Sequence, residues 1–442
     1  MALKGPPEPK PAAVVILMRG DAVYLVRRPK RSRFFPGFHA FIGGGLEEED
    51  GEPGTLETLA RCAVRELEEE VLVRVDTEDL VPAGVTITPP FSPIRYDTQF
   101  FLAEIPEGAE PEPQEPELAG GAWFTPERAL DAWKTGEVRI PPPVIHALEV
   151  LASQGREGLV AKGTEQARFP ISFARGLRVE PLKVRTLPPH THTNAFIVGE
   201  RELAIIDPGA TGPALEPLLE AITMLAEKGA EVTWVLVSHH HQDHIAGVQA
   251  VLDATGAQLA CSPETADRLP VPVDRRIQGG EVLRVGDTPI EVVDTPGHAP
   301  GHLAFLLPRS NAILPGDLVA GIGTVLIPPG EGDMGAYMES LELLAGLARE
   351  KGARLMFPSH GPPSFRPAAK LEQTLEHRRM REQRVLEAVA SVARSEEEIA
   401  RRAYEDKPEA PEQLTRLSTL AHLEKLERDG RVRRVEDGWA TV

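Results

Sequence analysis

The run Ser238-His239-His240-His241-Gln242-Asp243-His244 gathers side chains that bind transition metals. It follows residues 232–237, a continuous apolar stretch that reads as a buried strand. In extended backbone alternate side chains point the same way, so His239 and His241 can share one cation. Asp243 and His244, where the chain turns toward a helix, can serve a second. His240 alternates to the opposite side and reads as structural. Imidazole with carboxylate suits zinc, and also manganese or iron. A triple histidine alone could be incidental; four candidate ligands besides His240 in six positions behind a strand are much harder to explain that way. Further candidates follow in order: His298 in Asp294-Thr295-Pro296-Gly297-His298, Asp317 in Leu314-Pro315-Gly316-Asp317, and His360 in Phe357-Pro358-Ser359-His360-Gly361. Asp317 could bridge two ions.

A second constellation offers oxygen only. In Arg65-Glu66-Leu67-Glu68-Glu69-Glu70 the spacing predicts a helix starting near Thr55, with Glu66, Glu69 and Glu70 on one face. Like charges so placed repel unless a cation bridges them. Carboxylates suit Mg2+ or Mn2+, ions that also hold phosphates. A solvated acidic face is the plain alternative. Gly43-Gly44-Gly45 precedes this helix, and Glu57 lies eight residues before Arg65. Arg27, Arg28, Lys30, Arg31 and Arg33 form a basic cluster that could meet phosphates or only keep a loop solvated.

Glycine, glutamate, then Arg-Glu-hydrophobic-x-Glu-Glu resemble a Nudix box. Gly51 keeps the family spacing to Glu57; the strand context points instead to Gly44-Gly45 as the glycine pair, followed by an insertion. The flanks Phe35-Pro36-Gly37-Phe38-His39-Ala40-Phe41-Ile42-Gly43-Gly44, Trp123-Phe124-Thr125-Pro126 and Pro141-Pro142-Pro143 resemble coenzyme A or acyl-coenzyme A diphosphatases of that family. The resemblance implies an α/β/α sandwich, Mg2+ or Mn2+ on Glu66, Glu69 and Glu70, Glu69 or Glu70 as base, and water attack on a small-molecule diphosphate. The glycine expected after Glu70 and one further residue is Leu72. A left-handed turn there must then be made differently, and a binding module that no longer cleaves is the alternative.

The histidine–aspartate set resembles the metallo-β-lactamase superfamily, which implies an αββα sandwich. By that resemblance His239, His241 and His298 hold one metal, Asp243, His244 and His360 the other, and Asp317 bridges two Zn2+ (or Mn2+ or Fe2+) ions. Water ionised by the cations is the expected nucleophile, and Asp243 steers or receives a proton. Asp207 in Ile206-Asp207-Pro208-Gly209 fits the family aspartate that orients a ligand loop. His302 reads as lying behind a ligand or facing substrate. His190, His192 and Asn194 either line the cleft or form an ordinary polar loop.

Residues from 376, near 395–404 and 411–429 read as three helices, followed by a ribbon around Asp437-Gly438, as in a winged helix. Leu414, Leu417, Leu420, Leu423 and Leu426 recur every third residue and predict one buried face. Such helices suggest DNA binding, but residues 378–442 carry 14 Lys+Arg against 14 Asp+Glu, which favours packing or substrate guiding. Thr193-Asn194, Gly323-Thr324-Val325, Tyr337-Met338-x-Ser340-Leu341 and His377-Arg378-x-x-Arg381-Glu382-Gln383 make the whole resemble the β-lactamase-like protein 2 branch, whose animal members cleave single-stranded RNA.

The elements that must position these residues fall into three composition blocks, giving expected domains of 1–157, 168–366 and 367–442. The fold class is α/β and α+β multidomain: a Nudix sandwich, a metallo-β-lactamase sandwich and a small winged helix. An apolar content of 41% in 442 residues excludes a fully disordered chain. No apolar run is long enough to span a membrane. Two cysteines and a Pro- and Lys-rich start without an apolar leader point to the cytoplasm. A net charge of −19 does not attract polyanions, so double-stranded DNA is not an expected partner. The expected activity is metal-dependent hydrolysis, first of single-stranded RNA phosphodiesters, alongside Nudix cleavage of a small diphosphate. The alternative is a glyoxalase II-like hydrolase of thioesters or small acyl esters, with a Nudix module that only binds.

Overall fold

The structure is a computed structural model describing residues 6–32, 35–167, 170–391 and 394–442. Arg33 of the basic cluster and residues 1–5 lie outside the described residues. The chain divides into two compact units, which part between residues 179 and 180.

The first unit is a mixed sheet between helices. Its strands are β1 (Lys10–Arg19), β2 (Ala22–Arg27), β3 (His39–Ala40), β4 (Ile42–Gly45), β5 (Val81–Ile87), β6 (Tyr96–Glu104) and β7 (Gly121–Phe124). The order is β3-β2-β1-β6-β5, with β4 paired to β1 and β7 to β2. Strand alternation sorts β1 to both faces. Ala13, Val15 and Leu17 pack under α1 (Leu56–Val71) with Leu67 and Val71. Ile16 and Met18 pack with Ala129, Ile145 and Leu148 of α2 (Pro126–Lys134) and α3 (Pro142–Val160). Both faces are covered, so β1 is an almost unbroken apolar run. Helix α1 starts where expected, with the Thr55 hydroxyl accepting the Thr58 N–H at 3.1 Å. Polar residues from 154 continue α3 through a kink at Gly155 (φ 66°), a conformation glycine takes cheaply. β8 (Ile171–Ala174) follows and pairs with the start of β9 (Leu177–Lys183).

The second unit stacks two sheets. The first continues from β9 through β10 (His192–Gly199), β11 (Glu202–Ile206), β12 (Glu231–Leu236), β13 (Gln258–Cys261) and β14 (Arg275–Arg276). Helices α4 (Glu216–Ala226), α5 (Gln242–Ile245), α6 (Val248–Thr255) and α7 (Pro263–Ala266) fall between these strands. Ile205, Val235 and Val237 bury against Leu218, Val248 and Val251 on its outer side. The second sheet runs β15 (Val282–Val285), β16 (Thr288–Asp294), β17 (Leu303–Leu307), β18 (Ala312–Leu314), β19 (Leu355–Met356). α8 (Met334–Glu350) covers it through Tyr337, Leu341 and Leu344 on Ala304, Leu306 and Ile313. Inner faces meet at Phe196 and Phe357, whose rings lie 5.5 Å apart. The result is the αββα sandwich, and the segments after β11, β12, β16, β18 and β19 carry the expected donors.

The C-terminal part comprises α9 (Pro367–Ala390), α10 (Glu396–Ala403), α11 (Glu412–Arg428) and a ribbon of β20 (Val432–Val435) with β21 (Gly438–Thr441). α9 starts nine residues ahead of the expected position, because Leu371 and Leu375 are buried in the α8 core. The leucine row of α11 is not one buried face: only Leu423 and Leu426 of the five are buried, alongside Thr415, Thr419 and His422. A strict period of three slips by about 60° per step on a helix of 3.6 residues per turn, so the row winds off the core. No helix among the described residues is long and apolar enough to cross a membrane.

Candidate metal centre

The backbone leaves β12 extended and turns into α5, and side chains converge as alternation requires. His239 Nε2 lies 3.0 Å from His241 Nδ1, and His298 Nε2 lies 3.0 Å from the same atom. Three ring nitrogens this close suit a common ion: tetrahedral ligands at zinc sit about 3.3 Å apart. Asp243, His244 and His360 form the adjoining group, with His360 Nε2 3.4 Å from Asp243 and His244 Nε2 4.0 Å from it. Asp317 faces both groups. Its carboxylate is 3.6 Å from His298 Nε2, 3.6 Å from His244 Nε2 and 3.3 Å from His360 Nε2. His244 Nε2 and Asp317 Oδ1 are buried without a hydrogen-bond partner. A buried imidazole nitrogen and carboxylate oxygen left so are costly unless a cation sits between them, and the residues fit one.

Each imidazole is fixed from behind. His239 Nδ1–H faces the Ser238 hydroxyl at 3.0 Å, which donates to Asp207 at 2.6 Å. His244 Nδ1–H donates to the same Asp207 carboxylate at 2.9 Å. His298 Nδ1–H meets the Leu326 carbonyl at 2.9 Å and His360 Nδ1–H the His192 carbonyl at 3.1 Å. His241 is reversed: its Nε2–H meets Glu331 at 3.1 Å, leaving Nδ1 inward. These bonds set the tautomers and leave the inward nitrogens as acceptors. Asp207 sits in left-handed backbone (φ 54°) and is 1% exposed, so a costly conformation is kept where one carboxylate serves two rings. Gly209 is needed beside it, since a Cβ there would lie 1.6 Å from the Asp243 carbonyl.

Burial pushes His298 down to about 3 and holds His239 well below the usual imidazole range. Both rings are therefore neutral and ligand-ready. For Asp317 burial works upward, but the His360 and His244 imidazoles hold it well below the carboxylate range. His244 moves the other way: against burial, Asp317 and Asp207 raise it well above its ordinary value. The centre thus calls for positive charge between Asp317 and His244.

The neighbouring residues resolve. His302 does not face substrate: it is fully buried, accepts the Asp317 N–H at Nε2 (3.0 Å) and meets Thr295 at Nδ1 (2.8 Å). His240 points away from the centre, to Glu331 at 2.9 Å. Asn194 is buried and donates to the Pro358 and Gly361 carbonyls, holding the His360 turn. His190 stacks on His360 at 5.5 Å.

On the glutamate helix the three carboxylates are not gathered in the same way. Arg65 binds Asp50 through Nε and Nη2, each at 2.9 Å, and its Nη1 reaches Glu66 and Glu69, each at 2.9 Å. Glu66 lies over Gly44, where a Cβ would come within 2.4 Å of it. Glu70 accepts the Gly43 N–H at 3.1 Å, and burial raises it to about 7. Glu69 remains 54% exposed. Gly43 and Gly44 therefore face these glutamates, so only Gly44 of the pair Gly44-Gly45 that the strand context suggested does so. The end of α1 corrects the expectation for Leu72. The turn is not made differently: Leu72 itself adopts the left-handed cap (φ 56°), its N–H bonded to the Glu68 carbonyl.

Sequence reasoning missed Glu331, the Leu326 carbonyl and Asp50. The first two lie in an irregular loop with no spacing signal, and Asp50 in a stretch of acidic neighbours.

Residues 188–360 match the metallo-beta-lactamase superfamily, 8–146 the NUDIX domain and 395–439 the beta-lactamase associated winged helix domain. Hydroxyacylglutathione hydrolase of Cereibacter sphaeroides is 35% identical over 173 residues, covering 38% of this chain and 64% of its own. Atrochrysone carboxyl ACP thioesterase of Aspergillus fumigatus is 31% identical over 208 residues, covering 47% and 62%. The chain thus spans a little under two thirds of these relatives. A beta-lactamase domain protein from Burkholderia ambifaria superposes with a TM-score of 0.54 at 21% identity, over 62% of this chain and 93% of that one. A metallo-beta-lactamase family protein from Thermus thermophilus gives 0.50 at 23%, over 61% and 100%. Identities this low speak to fold alone. The family implies a divalent metal, and the histidine–aspartate clusters are where the donors meet. This chain joins a Nudix domain to a metallo-β-lactamase superfamily domain with its associated winged helix.

Proposed function

We propose that the histidine–aspartate centre hydrolyses a thioester of a small acyl group, and that the glutamate helix cleaves a diphosphate-linked small molecule of the coenzyme A type. The observation that carries the first part is the seven-residue donor set itself, with two groups of donors that Asp317 faces together. Leu187 (45% exposed) and Ile322 (38% exposed) lie on two loops that meet where His190 bonds the Ile322 carbonyl at 2.9 Å, and His190 stacks on His360. Exposed apolar residues on these loops would suit an acyl chain better than a phosphate backbone. The relatives named for a hydroxyacylglutathione and for an ACP thioester support it, and so does the net charge of −19.

Two divalent cations, zinc in this reading, would lower the pKa of a water and polarise the thioester carbonyl. His239, His241 and His298 present lone pairs on one side; Asp243, His244 and His360 do so on the other, and Asp317 balances the charge of both. Asp243, 18% exposed, takes the proton as water attacks the acyl carbon. The C–S bond breaks, and that proton passes to the departing thiolate. On the first unit Glu66, Glu69 and Glu70 would hold Mg2+ or Mn2+, with Glu69 or Glu70 as base. The buried free thiols of Cys62 and Cys261 suit a reducing compartment such as the cytoplasm.

The winged helix favours a second reading, single-stranded RNA cleavage. Purified protein offered S-lactoylglutathione, acyl-coenzyme A and labelled RNA separates them. Thioester hydrolysis is expected, with loss in His241→Ala and no loss in Glu69→Gln; the reverse is expected for diphosphate cleavage. RNA cleavage that His241→Ala abolishes, with thioesters untouched, would overturn the proposal. Absence of diphosphate cleavage would leave the Nudix domain a binding module.

A further inference from the structure

Residues 319–333 connect β18 to α8 without helix or strand and include Gly321, Gly323, Gly330 and Gly332. Glycine-rich backbone of this kind has many alternatives to its folded path. Yet this loop supplies the partners that aim two of the three donors in the first group. Its Leu326 carbonyl takes the His298 Nδ1–H, and its Glu331 takes the His241 Nε2–H. If the loop wandered, His241 and His298 would lose both tautomer and direction.

Beside the His190 bond to the Ile322 carbonyl and the Gly321 N–H to the His360 carbonyl at 2.8 Å, the loop is pinned from the C-terminal helices. Lys370 of α9 donates to the Gly321 carbonyl at 3.3 Å. Arg378 of α9, 2% exposed and lying over the Tyr337 ring, donates to the Val325 carbonyl, one residue before Leu326. Arg428 of α11 grips the Asp333 carboxylate with both terminal nitrogens, one at 2.8 Å. Asp333 in turn caps α8 and gives its N–H to the Gly297 carbonyl at 2.7 Å, next to His298. Three cations from the C-terminal helices are thus turned inward onto one loop.

We propose that the C-terminal helices act as a clamp on residues 319–333, with Lys370, Arg378 and Arg428 as positioning residues for His241 and His298. Affinity for the first cation then depends on side chains that never touch it. The inference rests on the reading that the donor set holds cations, and the test separates the two. Zinc-loaded full-length protein is titrated with a chelator of known zinc affinity, with circular dichroism to check folding. Wild type should hold two zinc ions. Arg428→Met and Arg378→Met should each weaken one of the two by about tenfold or more, the usual cost of removing a partner that orients a ligand. Glu331→Ala, which leaves the C-terminal helices intact, should reproduce that loss. Arg434→Met should not, since Arg434 pairs with Glu427 and lies over Trp439. Should Arg378→Met fail to fold, Arg428→Met decides, because Arg428 is 53% exposed. Two ions held at wild-type affinity in Arg428→Met and Glu331→Ala would overturn the clamp alone. A folded wild type that binds no zinc would overturn the reading beneath it as well.

Discussion

In the histidine–aspartate centre five imidazoles each turn their outer N–H to an acceptor behind them, whereas on the glutamate helix three carboxylates are served by one arginine and one backbone N–H. The first arrangement is largely buried, and each ring is held by a bond on its outer side. In the second, Arg65 itself occupies oxygens of Glu66 and Glu69 that a cation would use, and Glu69 is half exposed. Preorganisation favours tight, resident ions in the first case and exchangeable ions delivered with substrate in the second. On the proposed reading, the two units would contrast a built-in cofactor with a borrowed one.

The strongest way to break this contrast is Asp317→Asn. It removes the one carboxylate that faces His244, His298 and His360 together, and leaves the raised His244 without its main counter-charge. Thioester hydrolysis should fall at least about a hundredfold, beyond the range seen for residues behind a ligand. Bound zinc, measured by elemental analysis, should fall with it, and diphosphate cleavage should not change. Equal loss of both activities would dissolve the distinction between the sites. On the other side, Arg65→Met should unfold the first unit more easily by about 3 kcal/mol, because it strands the buried Asp50 carboxylate. Arg65→Lys should not rescue it, as a single ammonium cannot replace the paired contacts to Asp50 while reaching both glutamates. Urea unfolding followed by circular dichroism reads this. A smaller effect is expected for Asp207→Asn. It weakens the acceptor shared by Ser238 and His244 and should cost about 10 to 100-fold in zinc affinity, with Mg2+ binding unaffected.

The same contrast governs what could be read in advance. His239, His241, Asp243 and His244 are legible because strand alternation and a turn place them with no help from distant chain. His298, Asp317 and His360 show as isolated motifs, and only the stacking of two sheets brings them together. Glu331 is invisible: its bond to His241 joins residues 90 apart through a loop with no periodicity. In the first unit the glutamates are legible from helical spacing, but their sharing of Arg65 is not, because it depends on Asp50 folding back from a segment that reads as solvated acid. The leucines of α11 misled for a related reason, since sequence period shows a stripe but not which part of it another element will cover.

Leu72 offers the finest test. An L-residue in left-handed backbone costs roughly 1–2 kcal/mol, while glycine there sacrifices roughly 0.5–1 kcal/mol of unfolded-state freedom. Leu72→Gly should therefore stabilise the first unit by about 0.5–1 kcal/mol, read as a higher urea midpoint. The strain is kept although the side chain is 52% exposed and lines an open groove of about 680 Å3 with Arg61, Arg65, Glu68 and Glu69. A leucine that strains the backbone and covers little of the core is better placed to touch a ligand than to hold the fold. If so, Leu72→Gly should raise stability while raising KM for the diphosphate substrate, with kcat and zinc content unchanged. Higher stability with unaltered KM would mean that the glutamate helix tolerates the strain without using it.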